Sequence, residues 1–194
     1  MARKKLKTDP GRPELNDFLK DSVEELSALY GNDQKESIER VSERGSIKIV
    51  NSPFKCCVLS DFVKDARFLA DLRTEICNEV EFFDKNNDLY QFKQSEDLKL
   101  LDFELCNRVT RWLRTDVLAY VKRLTGCDLY DNQIDITVSK YEFTDVLLCH
   151  DDLIAEEERR VAFILYLVDE DWQETDGGHL DLFARSGEFS RVHF

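Results

Sequence analysis

The sequence is short of chain breakers, with seven glycines and three prolines in 194 residues. That scarcity excludes a collagenous or low-complexity chain. Long apolar runs are missing too. The longest, residues 161–168, falls well short of the roughly twenty residues a membrane-spanning helix takes, so no membrane partner is expected. The basic start (Arg3, Lys4, Lys5, Lys7, Arg12) leads into no apolar stretch, and no secretory signal is expected. It reads as a solvated tail, with a nuclear address or contact arm as the alternative. The six cysteines, Cys56, Cys57, Cys77, Cys106, Cys127 and Cys149, include no C-x-x-C pair. That argues against a zinc ribbon or thioredoxin-type site and for reduced thiols, mostly small core residues. A Gly-rich phosphate loop and a G-x-S-x-G elbow are also absent.

What is present fits a folded domain. The apolar fraction is 42% and thirteen phenylalanines supply core bulk. The net charge of −13 would repel a phosphate backbone, so no direct nucleic-acid partner is expected. From residue 13 to about 30, Leu15, Phe18, Leu19, Val23, Leu26 and Leu29 recur at helical spacing. Residues 32–45 read as a linker or exposed loop. Residues 47–50 and 56–59 read as short strands around Ser52-Pro53. Phe62 to Val80 suggest one or two helices ending near Phe83, and residues 84–88 a turn or loop. Leu101, Leu105, Val109, Trp112, Val117 and Val121 predict a helix closed by Gly126. The period then changes to two. Residues 134–143 read as a half-buried strand, 160–168 as a more buried one, 179–183 as a third, and 191–194 as the start of a fourth. Helices before strands indicate α+β.

Only three histidines are available for catalysis or metal binding, and His150 stands in Cys-His-Asp-Asp. On extended backbone His150 and Asp152 point to one side. An imidazole and a carboxylate so placed suit the 2-His-1-carboxylate set of non-haem Fe(II) oxygenases; a surface His-Asp pair is the plain alternative. Tyr166 shares a strand face with Ala162 and Ile164. Its hydroxyl suits a ligand carboxylate in a partly dry pocket, or equally a core tyrosine with a local hydrogen bond. Gly177-Gly178 permits positive φ before the next strand.

This ordered set resembles the 2-oxoglutarate- and Fe(II)-dependent dioxygenases of the prolyl hydroxylase type. Their double-stranded β-helix runs strand, His-x-Asp, long strand with Tyr, then Gly-Gly-x-Leu. Asn-Asp-Leu-Tyr-Gln-Phe-Lys-Gln-Ser-Glu-Asp-Leu-Lys (87–99) and Lys-Tyr-Glu-Phe-Thr-Asp-Val-Leu-Leu-Cys-His-Asp-Asp (140–152) resemble one branch, the ribosomal prolyl 3-hydroxylases of the 2-oxoglutarate and iron-dependent oxygenase domain-containing family. The likeness runs from roughly residue 47 to 183.

The resemblance implies an α+β fold in which N-terminal helices pack on a partial double-stranded β-helix, jelly-roll or cupin-like and truncated after its first strands. It divides the chain into 1–45 (basic tail, helix and linker) and 46–194 (the N-terminal part of the dioxygenase domain, its β-helix from about 134). It makes His150 and Asp152 the first two iron ligands. Tyr166 becomes the residue that meets the distal carboxylate of 2-oxoglutarate, Tyr141 a pocket wall, and Asp151 a structural residue facing away. The second ligating His and the carboxylate-clamping Arg are expected beyond residue 194, which leaves His179 and His193 as strand or terminal histidines. The implied cofactors are Fe(II), 2-oxoglutarate, O2 and ascorbate. The implied reaction is proline 3-hydroxylation of a small-subunit ribosomal protein, linked to translation termination, in cytoplasm and nucleus. The alternative is a catalytically inactive short form that acts as a binding or regulatory protein.

Overall fold

Asn16 starts the first helix, α1 (Asp17–Gly31), by accepting the Phe18 N–H at 3.1 Å. The cap satisfies one of the amides that a first helical turn leaves unpaired. Leu19, Val23 and Leu26 follow at steps of four and three and are buried on one face. The computed structural model describes residues 11–32, 37–42, 45–151 and 159–192. The basic tail up to residue 10 and His193 lie outside them. None of the described helices is long and apolar enough to cross a membrane.

The second helix, α2 (Ala66–Glu79), begins at Asp65, whose carboxylate accepts the Arg67 N–H at 3.0 Å, and it buries Phe68, Leu72 and Ile76. The third, α3 (Glu104–Trp112), has no side-chain cap of its own. Glu75 of α2 provides one across the helix pair: its Oε1 accepts the N–H groups of Leu105 at 2.8 Å and Cys106 at 2.9 Å. A carboxylate there also meets the positive end of the helix dipole.

A π turn, Leu113–Val117, joins α3 to α4 (Leu118–Thr125). The spacing of buried residues explains it. Trp112 and Val117 are both buried, and a step of five on an α-helix rotates about 140° off a common face. The wider turn restores the face, so Val117, Tyr120 and Leu124 continue it. Gly126, at φ 69°, ends α4 in the left-handed conformation. Phe62 sits edge-on to both Trp112 (5.7 Å) and Tyr120 (6.2 Å) at the centre of this helical core.

Three antiparallel strands, β1 (Ile38–Ser42), β2 (Gly45–Val50) and β3 (Cys56–Leu59), form a sheet in that order. Its two faces follow the period-two pattern. Ile47, Ile49, Cys57 and Leu59 pack on the helical core. Cys56 and Val58 face the other way, with Val50 against Leu180, Leu182 and Val192. Those last residues come from the C-terminal hairpin β8 (Leu180–Phe183) and β9 (Phe189–Val192). A second antiparallel sheet contains β4 (Phe83–Asn86), β5 (Tyr90–Gln94), β6 (Ser139–Lys140) and β7 (Val146–Leu147). The fold is thus mixed, helices with antiparallel sheets.

Several elements differ from the sequence reading. Residues 38–42 form strand β1 instead of a linker, because Ile38 packs on the core while the backbone pairs with β2. Strand β4 takes in residues 84–86 of the turn or loop expected at 84–88, and Phe83, near which the sequence ends the preceding helix. All four side chains are exposed, so polarity carried no strand signal. The turn itself is Asn87, whose Oδ1 accepts the N–H groups of Leu89 and Tyr90. The half-buried strand read at 134–143 keeps its alternation at Ile134, Ile136 and Val138, but only Ser139–Lys140 joins a ladder there. The buried strand read at 160–168 forms no ladder among the described residues. Val161, Phe163, Ile164 and Val168 are exposed there, while Leu165, Tyr166 and Leu167 are half-buried. An extended apolar run joins a sheet only where neighbouring backbone pairs with it, and no described strand pairs with this one.

Candidate functional site

The site begins where β6 and β7 run along the same edge of β5. Lys93 pairs with Lys140, and Gln91 pairs with Val146. Phe92 alone therefore faces residues 141–145, and the surplus chain bulges outward. Tyr141 folds back and stacks on Phe92, with ring centroids 5.0 Å apart. Phe143 is thrown into solvent, 97% exposed, and Thr144 takes φ 79°. The bulge is pinned by Glu142 and Asp145. The Glu142 N–H donates to Asp145 Oδ2 at 2.9 Å, and the Asp145 N–H donates to the Glu142 carbonyl at 3.0 Å. Lys93 and Lys140 hold the two Glu142 oxygens at 2.8 and 3.0 Å. Hydrogen bonds from these lysines, Lys93 first, pull the Glu142 carboxyl down to about 2.

Past β7 the ladder extends by one bond, from the Leu148 N–H to the Leu89 carbonyl at 2.8 Å. His150 follows, exposed, with Nδ1 2.8 Å from the Leu148 carbonyl oxygen. A carbonyl only accepts, so this contact puts the proton on Nδ1 and the lone pair of the neutral ring on Nε2. Histidines that bind metals are commonly held this way, by a backbone carbonyl on the other nitrogen. The donor chemistry of His150 therefore fits a divalent iron. Asp152, the expected carboxylate partner, lies outside the described residues. Among the described residues no three His, Cys, Asp or Glu form a metal-holding group.

Tyr166 is half-buried. Burial, with smaller contributions from Cys56 and Tyr141, pushes its hydroxyl up to about 12. Tyr141 is likewise raised, by burial and then by Asp145. Tyr141 is among the groups that raise Tyr166, so the two expected cosubstrate tyrosines share one neighbourhood. Both keep their protons at neutral pH, which leaves each hydroxyl able to donate to a carboxylate. Asp151 is exposed. A separate groove of about 440 Å³, lined by Arg12, Leu15, Asp116, Tyr120 and Arg123 among others, lies on the helical layer away from these residues. The pairing of Arg73 with Asp169 (below) gave no sequence signal, since 96 residues separate the two.

Residues 136–193 match the 2OG-Fe(II) oxygenase superfamily. That stretch contains Tyr141, His150, Asp152 and Tyr166, the residues that the resemblance picks out. More particularly, the chain is similar to proteins named prolyl 3-hydroxylase OGFOD1. It is 42% identical to that of Xenopus laevis over 140 residues, 72% of this chain and 26% of the relative. It is 38% identical to that of Mus musculus over 185 residues, 90% of this chain and 32% of the relative. Prolyl 3-hydroxylase sudestada1 of Drosophila melanogaster is 33% identical over 144 residues, 71% of this chain and 26% of the relative. The chain therefore spans 26–32% of the length of these relatives.

Proposed function

We propose that this chain carries the N-terminal part of a 2-oxoglutarate- and Fe(II)-dependent prolyl 3-hydroxylase domain. The domain would occupy residues 46–194, with the N-terminal helices packed on a partial double-stranded β-helix that begins near residue 134 and is incomplete at its C-terminal side. The observation that carries the reading is the Leu148 carbonyl on His150 Nδ1, which makes Nε2 the acceptor nitrogen of the neutral ring, within the stretch that matches the oxygenase superfamily. In this reading His150 and Asp152 hold the iron. The Tyr166 hydroxyl donates to the distal carboxylate of 2-oxoglutarate, and Tyr141, fixed by its stack on Phe92, walls the pocket. The half-burial of Tyr166 limits water there, which strengthens a hydrogen bond to a carboxylate. Iron with 2-oxoglutarate and O2 supplies the oxidising power to place a hydroxyl on a proline C3, and ascorbate keeps the metal reduced.

The proposed substrate is a small-subunit ribosomal protein, in the cytoplasm and nucleus, with a consequence for translation termination. The chain's net charge of −13 complements a basic ribosomal protein and would speed their encounter. The test is to incubate the protein, extended past residue 194 to include the second ligating His and the Arg expected there, with Fe(II), 2-oxoglutarate, ascorbate and small-subunit ribosomal peptides. Succinate and a proline gaining one oxygen atom are expected from wild type and lost in His150→Ala. Equal turnover in His150→Ala would remove His150 from the site. Peptide binding without turnover in wild type would favour a binding or regulatory role instead.

A further inference from the structure

The segment that carries Tyr166 is held by one set of alternating side chains. Phe163 packs on Phe62, with centroids 5.5 Å apart. Leu165 and Leu167 pack on the helical core. Asp169 meets Arg73 of α2 through a two-pronged ion pair, Nη1 to Oδ1 and Nη2 to Oδ2, the second contact at 3.0 Å. All four are odd-numbered, so an extended chain turns residues 164, 166 and 168 to the opposite side. The neighbours of Tyr166 agree: Cys56, which influences it, belongs to the sheet face turned away from the helices. Three anchors are apolar and tolerate sliding along the core surface. The planar fork of Arg73 on a carboxylate does not, because both N–H···O bonds fix direction as well as distance. Directly after the pair the chain turns, with the Trp172 N–H donating to the Asp169 carbonyl at 3.1 Å.

We propose that Arg73 is a positioning residue for the cosubstrate tyrosine: by gripping Asp169 it fixes the register of residues 163–169 on the helical layer and so sets where the Tyr166 hydroxyl stands. The proposal rests on the reading of Tyr166 as the partner of the 2-oxoglutarate distal carboxylate. Arg73 itself touches no substrate.

Two measurements on the full chain separate the clamp from that reading. Limited chymotrypsin cleavage after Phe163 and Tyr166 reports the clamp alone. Arg73→Ala is expected to speed it roughly two- to five-fold, the range of an exposed two-pronged pair. Arg73→Asp is expected to do the same, and the swap Arg73→Asp with Asp169→Arg to restore slow cleavage. Calorimetric binding of 2-oxoglutarate with manganese(II), without turnover, reports the consequence. Arg73→Ala is expected to weaken it by a similar factor in wild type and to have no further effect in Tyr166→Phe. Unchanged cleavage in Arg73→Ala, or a swap that leaves cleavage fast, overturns the clamp. Wild-type affinity in Tyr166→Phe overturns the cosubstrate reading, and with it the positioning role, even where cleavage responds to Arg73.

Discussion

Phe92 and Tyr141 stack with centroids 5.0 Å apart and planes 16° from parallel, and this contact closes the base of the bulge that precedes His150. Phe92 is buried on β5, the strand on which β6 and β7 both pair. Truncating it removes the platform for Tyr141 and opens a void. Phe92→Ala should lower stability by about 3 kcal/mol, read from urea unfolding. Tyr141→Phe keeps the stack and should cost far less.

Glu142 gives the bulge a pH dependence. Its carboxyl stands at about 2 in the fold, against an ordinary 4.5, because Lys93 and Lys140 bind it. A carboxyl depressed by folding contributes stability that is complete above its unfolded value and disappears as pH falls toward the folded one. The window is therefore pH 4.5 down to about 2. Melting temperature measured across that window should fall less steeply in Glu142→Gln than in wild type, with the two proteins converging at its acid end.

Glu75 tests the capping of one helix by another. Its carboxylate is the side-chain acceptor at the start of α3, bonded to the Leu105 and Cys106 amides. Glu75→Ala should cost about 1 kcal/mol, as loss of a helix cap does. Glu75→Gln retains an acceptor oxygen and should recover part of that in the same unfolding experiment.

Alkaline stability should fall early. Burial pushes Cys57 and Cys106 from 9.0, and Tyr166 from 10.0, up to about 12. The unfolded chain releases these protons first, so their contribution is complete below pH 9 and drains away as pH rises toward 12. Tyr166→Phe should lessen the slope between pH 10 and 12, measured as melting temperature against pH, while leaving the cysteine-dependent loss that runs from pH 9 to about 12.

The helical half was legible because burial there repeats with the α-helical period: Leu19, Val23 and Leu26, then Phe68, Leu72 and Ile76, all carry the face in the sequence. Gly126 marked its helix end for the same local reason, a conformation that few other residues adopt. The π turn was hidden, since the step from Trp112 to Val117 has meaning only once both are known to be buried. Strand β4 was hidden because all its side chains face solvent. At the site, His150 and the two tyrosines stood out through local spacing and resemblance. The bulge at 141–145 did not, because it arises from a register difference between two short pairings on β5. The grip of Arg73 on Asp169 joins residues 96 apart, and a single sequence carries no trace of such a meeting.

The central claim is that His150 is a ligand of the iron, its ring aimed by the Leu148 carbonyl. Manganese(II) is a spectroscopic stand-in whose electron paramagnetic resonance signal falls on binding, so titrating the full chain and His150→Ala with it tests that claim most directly. The account predicts binding at least about ten-fold weaker in His150→Ala, with unfolding by urea unchanged because the side chain is exposed. Equal manganese affinity in the two proteins would contradict it.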